Sequence, residues 1–155
     1  MSVKDMPPLR IVPDVVEGGA TIQALSLDAT VEEAAQVMDG CGIGAIAVLD
    51  AEGRFAGLVM ERDIVRKVVA KGADARATPL VALLDRPADA LDPSDFALDA
   101  VDLMRIRNVS HLPVLDGGRV TAVVSVADIC LALGRALHAQ LHTRQVAFFG
   151  DQFQE

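Results

Sequence analysis

Two stretches of the chain decide the fold: residues 43–64, IGAIAVLDAEGRFAGLVMERDI, and residues 109–129, VSHLPVLDGGRVTAVVSVADI. In each stretch an apolar run ends at an aspartate, turns through glycine and continues as a second apolar run. Aspartate and glycine between two apolar runs are typical of a β-hairpin. The second turn is one residue shorter, and with that deletion Asp63 aligns with Asp128. We therefore predict the same hairpin in both halves of the chain.

An amphipathic helix precedes each hairpin. In both halves apolar residues recur at i, i+3, i+4 and i+7, the stripe that one face of a helix presents to a core. Upstream, Leu25 matches Leu91 at the same offset as the two helices. At this offset, Pro13 and Pro79 are each predicted to open a short helical stretch. The two stripes are Val31, Ala34, Ala35 and Met38, and Ala97, Ala100, Val101 and Met104.

The fold class that follows is mixed α/β (α+β), with two β-α-β-β-α units related by an approximate twofold. A single unit of this size leaves one face of its sheet bare, and packing two units together covers both faces. We place the first unit at residues 9–71 and the second at 78–135. A C-terminal helical extension and tail follow at 136–155.

The last helix is predicted to run past the second unit, because apolar residues continue at four-residue steps. This stripe packs either on a partner subunit or on the other unit. The tail is rich in phenylalanine, which suggests docking onto an apolar surface, although it could also fold back on its own unit. The stripe is Ile129, Leu133, Leu137 and Leu141, and the tail residues are Phe148, Phe149 and Phe153.

Composition narrows the class of protein. The net charge of −8 argues against a general nucleic-acid surface, which needs a basic face. No apolar run approaches the roughly 18 residues of a membrane span, and the N-terminus lacks the apolar core of a signal peptide. Cys41 and Cys130 lie in apolar stretches and are expected to be reduced thiols that behave as small hydrophobic residues. A cytoplasmic protein is the expectation.

The whole series of motifs, in order and twice, resembles the cystathionine β-synthase (CBS) domain, present as the tandem pair called a Bateman module. The matches include residues 57–64, GLVMERDI, and residues 111–114, HLPV, followed by 124–129, VSVADI. The run from Glu61 to Lys67 resembles small stand-alone bacterial members. The resemblance implies a non-catalytic, homodimeric regulator of an attached or partner protein. It implies no required cofactor, but a regulatory adenine nucleotide, NAD(H) or S-adenosylmethionine in clefts between the repeats.

The resemblance also implies that Ser125 and Asp128 contact the ribose of the ligand. A carboxylate can accept hydrogen bonds from both ribose hydroxyls. Ser-x-x-Asp before an apolar run is equally a helix capping box, and both interpretations can hold together. In the first repeat Met60 stands where the hydroxyl residue is expected, although Asp63 remains, so this cleft is either weaker or takes a different ligand.

Further binding candidates lie near these two positions. The resemblance assigns the adenine edge to the backbone of His111, Leu112 and Pro113, although His111 could also be a surface residue with no role. Because Pro113 lacks an amide hydrogen, we expect its strand to be partly exposed at a sheet edge. Cations near the helix ends would suit a polyphosphate, or would form a solvated face. The remaining candidates are Arg62, Arg66, Arg107, Leu91, Ala45 and Ile46.

Two substitutions and several absences complete the expectation. Ala122 replaces the family's glycine, and Leu84 begins the segment that replaces its Met-Thr element. These departures favour the alternative of a ligand-free interaction module that acts through its dimer surface and tail. His138 and His142 are four residues apart but have no third ligand, so no metal site is predicted. No nucleophile with a base and no glycine-rich phosphate loop is evident, so no enzymatic activity is predicted.

Overall fold

The computed structural model describes residues 8–19, 21–84 and 89–150, and side chains only as far as residue 143 of the last range. Its mixed α+β architecture of two small sheets and covering helices confirms the predicted fold class. The strands are β1 (Ala24–Ser26), β2 (Ala45–Leu49), β3 (Phe55–Met60), β4 (His111–Asp116) and β5 (Arg119–Ser125). The helices are α1 (Val31–Cys41), α2 (Glu61–Lys67), α3 (Ala97–Arg107) and α4 (Val126–Gly150), with shorter helical turns at Ile11–Val15, Val69–Lys71 and Leu80–Leu83.

The sheets repeat each other in register. In the first sheet β1 is parallel to β2, and β2 is antiparallel to β3. In the second, β4 is antiparallel to β5, and the place of β1 is taken by a single parallel bridge at Leu91. Leu25 pairs with Val48, and Leu91 pairs with Val114. The number of residues from Leu25 to Leu91 equals the number from Val48 to Val114, so the second pair repeats the first. This pairing confirms the equivalence of Leu25 and Leu91.

Helices α1 and α3 begin and end at equivalent positions, although only α1 has a side-chain cap. Thr30 Oγ1 accepts the Glu33 amide at 3.2 Å, and Glu33 accepts the Thr30 amide at 2.6 Å, which completes a capping box. Each helix ends on a residue in the left-handed conformation, Gly42 at φ 63° and Asn108 at φ 53°. The predicted stripes are confirmed in part: Val31, Ala34 and Met38 in α1, and Ala97, Ala100 and Met104 in α3, are buried.

The two repeats exchange their leading segments. Ile11 is fully buried in the core of the second repeat, while Leu80 and Leu83 are buried in the core of the first. The Ile11 amide donates to Asp95 O at 2.8 Å, and the Leu80 amide donates to Ala29 O at 2.8 Å. Each core is therefore completed by residues that lie next to the other repeat in sequence.

The same hydrogen bonds correct the alignment of the leading segments. Ala29 and Asp95 are equivalent positions of the two repeats and accept equivalent bonds, so Leu80 corresponds to Ile11. The equation of Pro13 with Pro79 is therefore wrong by three residues. Pro13 lies inside the turn Ile11–Val15, whereas Pro79 precedes the turn Leu80–Leu83 as its N-cap.

The expectation that Pro113 marks an exposed edge is also wrong. Its side chain is buried, and β4 lies between β5 and the bridge at Leu91. The bridge uses the Pro113 carbonyl, which accepts the Leu91 amide at 2.8 Å, and the Leu115 amide, which donates to Leu91 O at 2.8 Å. Because this bridge requires no amide hydrogen from residue 113, proline is compatible with an interior position.

Helix α4 buries only its beginning. Ile129 is fully buried in the second core and Leu133 packs against that core, but Leu141 is 49% exposed. Cys41 and Cys130 are both exposed, so the expectation that they behave as small core residues is wrong. Each lies on the solvent side of its helix, where apolar neighbours in sequence do not imply burial. The side chains of Phe148 and Phe149, and Phe153 altogether, lie outside the described residues.

Candidate ligand clefts between the repeats

Two cavities lie between the repeats, and each combines a helix start from one repeat with strand residues from the other. We call the first the Asp128 cleft, which has a volume of about 320 Å³. We call the second the arginine cleft, which has a volume of about 490 Å³ and contains Asp63. Both volumes fall in the range of ordinary small-molecule sites.

At the Asp128 cleft, Ser125 and Asp128 form a reciprocal capping box at the start of α4. Asp128 Oδ2 accepts the Ser125 amide at 2.8 Å and the Ser125 hydroxyl at 2.6 Å. The Asp128 amide donates to Ser125 Oγ at 3.1 Å. The capping interpretation is therefore correct. Within the described part of the chain Asp128 Oδ1 has no hydrogen-bond partner, so half of the carboxylate remains free on an exposed residue.

The opposite wall of the Asp128 cleft consists of first-repeat residues that sequence reasoning mostly missed. Of these, only Ala45 was predicted. Gln23, Gly42 and Ile43 are the first-repeat equivalents of Asp89, Asn108 and Val109, which line the arginine cleft, but no sequence signal singled out either set. The missed wall residues are Val16, Thr21, Ile22, Gln23, Gly42, Ile43 and Gly44.

In the arginine cleft the equivalent carboxylate has no free oxygen. Asp63 Oδ2 accepts the Met60 amide at 3.0 Å, and Lys67 Nζ lies 3.5 Å from Oδ1. Met60 has no hydroxyl that could complete the box from its side. Asp63 is thus committed to its own helix and to Lys67, which separates it chemically from Asp128.

Cations from both repeats surround the arginine cleft. Arg107 forms a bidentate ion pair with Asp89, with contacts of 2.7 and 3.1 Å. Arg62 reaches across from α2 and donates to the carbonyl of Asn108, at the end of α3. Lys67 Nζ also donates to Leu83 O at 2.6 Å. Arg66 lies one helical turn from Arg62, is exposed, and has no partner among the described residues.

His111 is the one described residue that lines both clefts. Its Nδ1 lies 2.9 Å from Ser110 Oγ, and its other edge faces Gly44, where a Cβ atom would be 3.1 Å from Cε1. Burial lowers the pKa of His111, while the charges of Asp128 and Glu61 act in the opposite direction. The imidazole therefore separates the two cavities and is held in place by a close approach to glycine.

The structure divides the predicted site residues among three places. Ser125, Asp128 and Ala45 line the Asp128 cleft, and His111 lines both clefts. Leu91 and Ile46, at 3% and 0% exposure, belong to the cores and line neither cleft. Neighbouring strand residues point to opposite faces, which takes Ile46 away from the cavity beside Ala45. The arginine cleft is lined by Arg62, Asp63, Arg66, Arg107, Leu112 and Pro113.

The departures at positions 84 and 122 lie in different repeats and have different neighbours. Leu84 packs against Gly57, where a Cβ atom would lie 2.7 Å from Leu84 Cδ2. In the second repeat Ala122 takes the position of Gly57, and Val16 follows the leading turn as Leu84 follows its own. Leucine with glycine and valine with alanine contain the same number of side-chain carbons, so we expect the smaller residue at position 16 to offset the methyl of Ala122.

Other candidate chemistry is sparse. The rings of His138 and His142 stack with centroids 6.5 Å apart on α4. Within the described ranges no group of three His, Cys, Asp or Glu side chains is placed to hold a metal ion. None of the described helices combines the length and apolar character that crossing a membrane requires.

Comparison with known proteins identifies the architecture. The CBS domain profile matches residues 9–70 and 81–135. A solved structure of a protein with CBS domains from Burkholderia ambifaria MC40-6 is 30% identical and superimposes with a TM-score of 0.73. The match covers 79% of this chain and 91% of that one. The CBS domain-containing protein YhcV of Bacillus subtilis is 27% identical over 110 residues, which are 71% of this chain and 77% of that protein.

A hexameric CBS-CP12 protein from bloom-forming cyanobacteria shares the fold, with a TM-score of 0.66 at 23% identity over 73% of this chain and 66% of that one. The two profile matches together cover most of the chain, and they coincide with the two structural repeats on either side of the clefts. The chain therefore belongs to the CBS-domain family, of which it carries a tandem pair.

Proposed function

We propose that this protein is a ligand-sensing regulatory module that binds an adenosyl group in the Asp128 cleft. Tandem CBS-domain proteins are commonly regulatory ligand-binding modules and are generally non-catalytic. The observation that supports the proposal here is the free Oδ1 of Asp128, exposed at a cleft of nucleoside size. One carboxylate oxygen has two lone pairs and can accept from both hydroxyls of a ribose.

The remaining walls suit the base of a nucleoside. The cleft is lined by Ile22, Ile43 and Val123, which can cover an apolar ring, and by the backbone of Gly44 and Ala45. The described chain brings no aromatic side chain other than His111 to this cleft. Aliphatic contact and backbone hydrogen bonds would therefore hold the adenine, with Asp128 fixing the sugar.

Asp128→Asn tests the proposal by isothermal titration calorimetry with adenosine and with S-adenosylmethionine. The asparagine oxygen can keep the cap, but its amide group would then face the sugar as a donor. Losing charge-assisted hydrogen bonds of about 1.5–3 kcal/mol should weaken binding by roughly tenfold to a hundredfold.

The matched control is Glu33→Gln, which makes the same change in the capping box of α1, outside both clefts. Its binding should equal that of the wild type. The proposal is refuted if neither adenosine nor S-adenosylmethionine, at saturating concentration, gives a heat of binding with the wild type. It is also refuted if D128N and E33Q bind these ligands with equal affinity.

A ligand-free interaction module is the second candidate, and exposed apolar side chains on the helices favour it. Val65 is 56% exposed on α2, Ile106 66% on α3 and Leu131 54% on α4. Such side chains suit a homodimer or a regulated partner protein. If adenosyl compounds do not bind and light scattering finds a dimer that Leu131→Asp dissociates, this second function replaces the first.

A further inference from the structure

We infer that the two clefts sort ligands by charge: the arginine cleft takes a di- or triphosphate group, whereas the Asp128 cleft takes an adenosyl group without phosphates. The second half rests on the proposed function, and the first half does not. The inference comes from charge balance in the two cavities.

Among the described residues that line the arginine cleft, cations outnumber carboxylates. Arg62, Arg66, Lys67 and Arg107 line it together with two acids, Asp63 and Asp89. Both acids are already paired, Asp89 with Arg107 and Asp63 with Lys67. Two guanidinium groups, Arg62 and Arg66, therefore have no carboxylate partner among the described residues.

The geometry places these guanidiniums around one space. Arg62 and Arg66 are one turn apart on α2, and Arg62 reaches Asn108, the residue after Arg107. Three guanidiniums from two repeats thus surround a single open cavity. Guanidinium groups bind phosphate oxygens in bidentate fashion, and several of them together match an extended polyphosphate better than a single phosphate.

The Asp128 cleft has the opposite balance. Among the described residues that line it there is no lysine or arginine, and Asp128 contributes a negative charge. Two backbone amides at the start of α4 that could bind a phosphate already have partners. The Val126 amide donates to Ser110 O at 3.0 Å, and the Asp128 amide donates to Ser125 Oγ. A phosphate would meet repulsion there, while a neutral nucleoside or a sulfonium cation would not.

Calorimetry with sodium tripolyphosphate, which contains no adenosyl group, tests the arginine cleft alone. The wild type should bind it at low salt, and the affinity should fall at physiological salt because exposed charges are screened. Arg62→Gln/Arg66→Gln should weaken binding by about tenfold or more. Arg66→Gln alone, which breaks no contact in the described structure, should weaken it by a smaller factor.

Two controls separate the clefts. Arg119→Gln removes one exposed cation from the second hairpin and should leave tripolyphosphate binding unchanged. Asp128→Asn should also leave it unchanged while weakening adenosine. ATP should follow tripolyphosphate in its sensitivity to the arginine variants, and AMP should bind the Asp128 cleft less tightly than adenosine.

The inference is overturned if tripolyphosphate does not bind, if R62Q/R66Q binds it as the wild type does, or if R119Q weakens it equally. It is also overturned if AMP binds more tightly than adenosine in a manner that Asp128→Asn abolishes. Failure of the proposed function looks different: adenosine would not bind, yet tripolyphosphate would still require Arg62 and Arg66.

Discussion

Asp128 and Asp63 occupy equivalent positions, yet their oxygens are engaged differently. The hydroxyl of Ser125 draws the capping bonds onto Asp128 Oδ2 and leaves Oδ1 open. In the first repeat Met60 supplies only its amide, and Lys67 lies beside the other oxygen of Asp63. The sequence predicted the box of Ser125 and Asp128, but not which carboxylate oxygen is left open in either repeat, because that depends on side-chain rotamers and on a lysine one turn away.

At the same scale, His111 should make stability depend on pH. Burial lowers its pKa in the folded state, so the unfolded chain takes up a proton first as the pH falls below about 6.5. The free energy of unfolding should therefore decrease from pH values of about 7.5 to about 5.5, and His111→Gln should reduce that decrease. Urea unfolding followed by far-UV circular dichroism at the two pH values measures it.

The matched control for this experiment is His138→Gln, because His138 is exposed on α4. H138Q should keep the pH dependence of the wild type. A decrease that is the same in H111Q as in the wild type would show that His111 does not contribute.

At the scale of elements, the sequence located the hairpins and the amphipathic helices well because their signals are local. It did not locate the leading segments, since their equivalence rests on hydrogen bonds to the opposite repeat. Ile11 and Leu80 lie further apart in sequence than Ala29 and Asp95, the residues that they contact, and no periodicity in the chain reports that difference. Pro13 and Pro79 gave a misleading match at the repeat offset.

The contact between β3 and the segment that follows the turn Leu80–Leu83 gives a prediction for packing. Gly57→Ala places a methyl against Leu84 and should destabilise the fold by about 1 kcal/mol, since only the end of a leucine side chain must move. Gly57→Ala/Leu84→Val introduces the alanine and valine of the second repeat, and it should be less destabilised than Gly57→Ala alone. Urea unfolding of both variants and of Leu84→Val gives the coupling between the positions. Purely additive effects would contradict the compensation.

At the scale of the whole molecule, all predicted site residues except Leu91 and Ile46 proved to line two clefts of different character. The family resemblance placed ligands between the repeats, but pairing Ser125 with Gly44 and Ala45, and Asp63 with Arg107, requires the three-dimensional crossing of the repeats. His111 lies at that crossing, where the equivalent first-repeat residue is Ala45. The approximate twofold is therefore broken at the centre of the molecule, and the two sites need not bind the same compound.

Amide chemical shifts of a ¹⁵N-labelled sample, titrated with adenosine, test most directly whether the adenosyl group binds in the Asp128 cleft. We expect the shifts to concentrate at the amides of Gly44, Ala45, Ser125 and Asp128, and the amides of Asp63 and Arg66 to change little. Absence of shifts at saturating adenosine, or shifts centred on Asp63, would contradict this expectation.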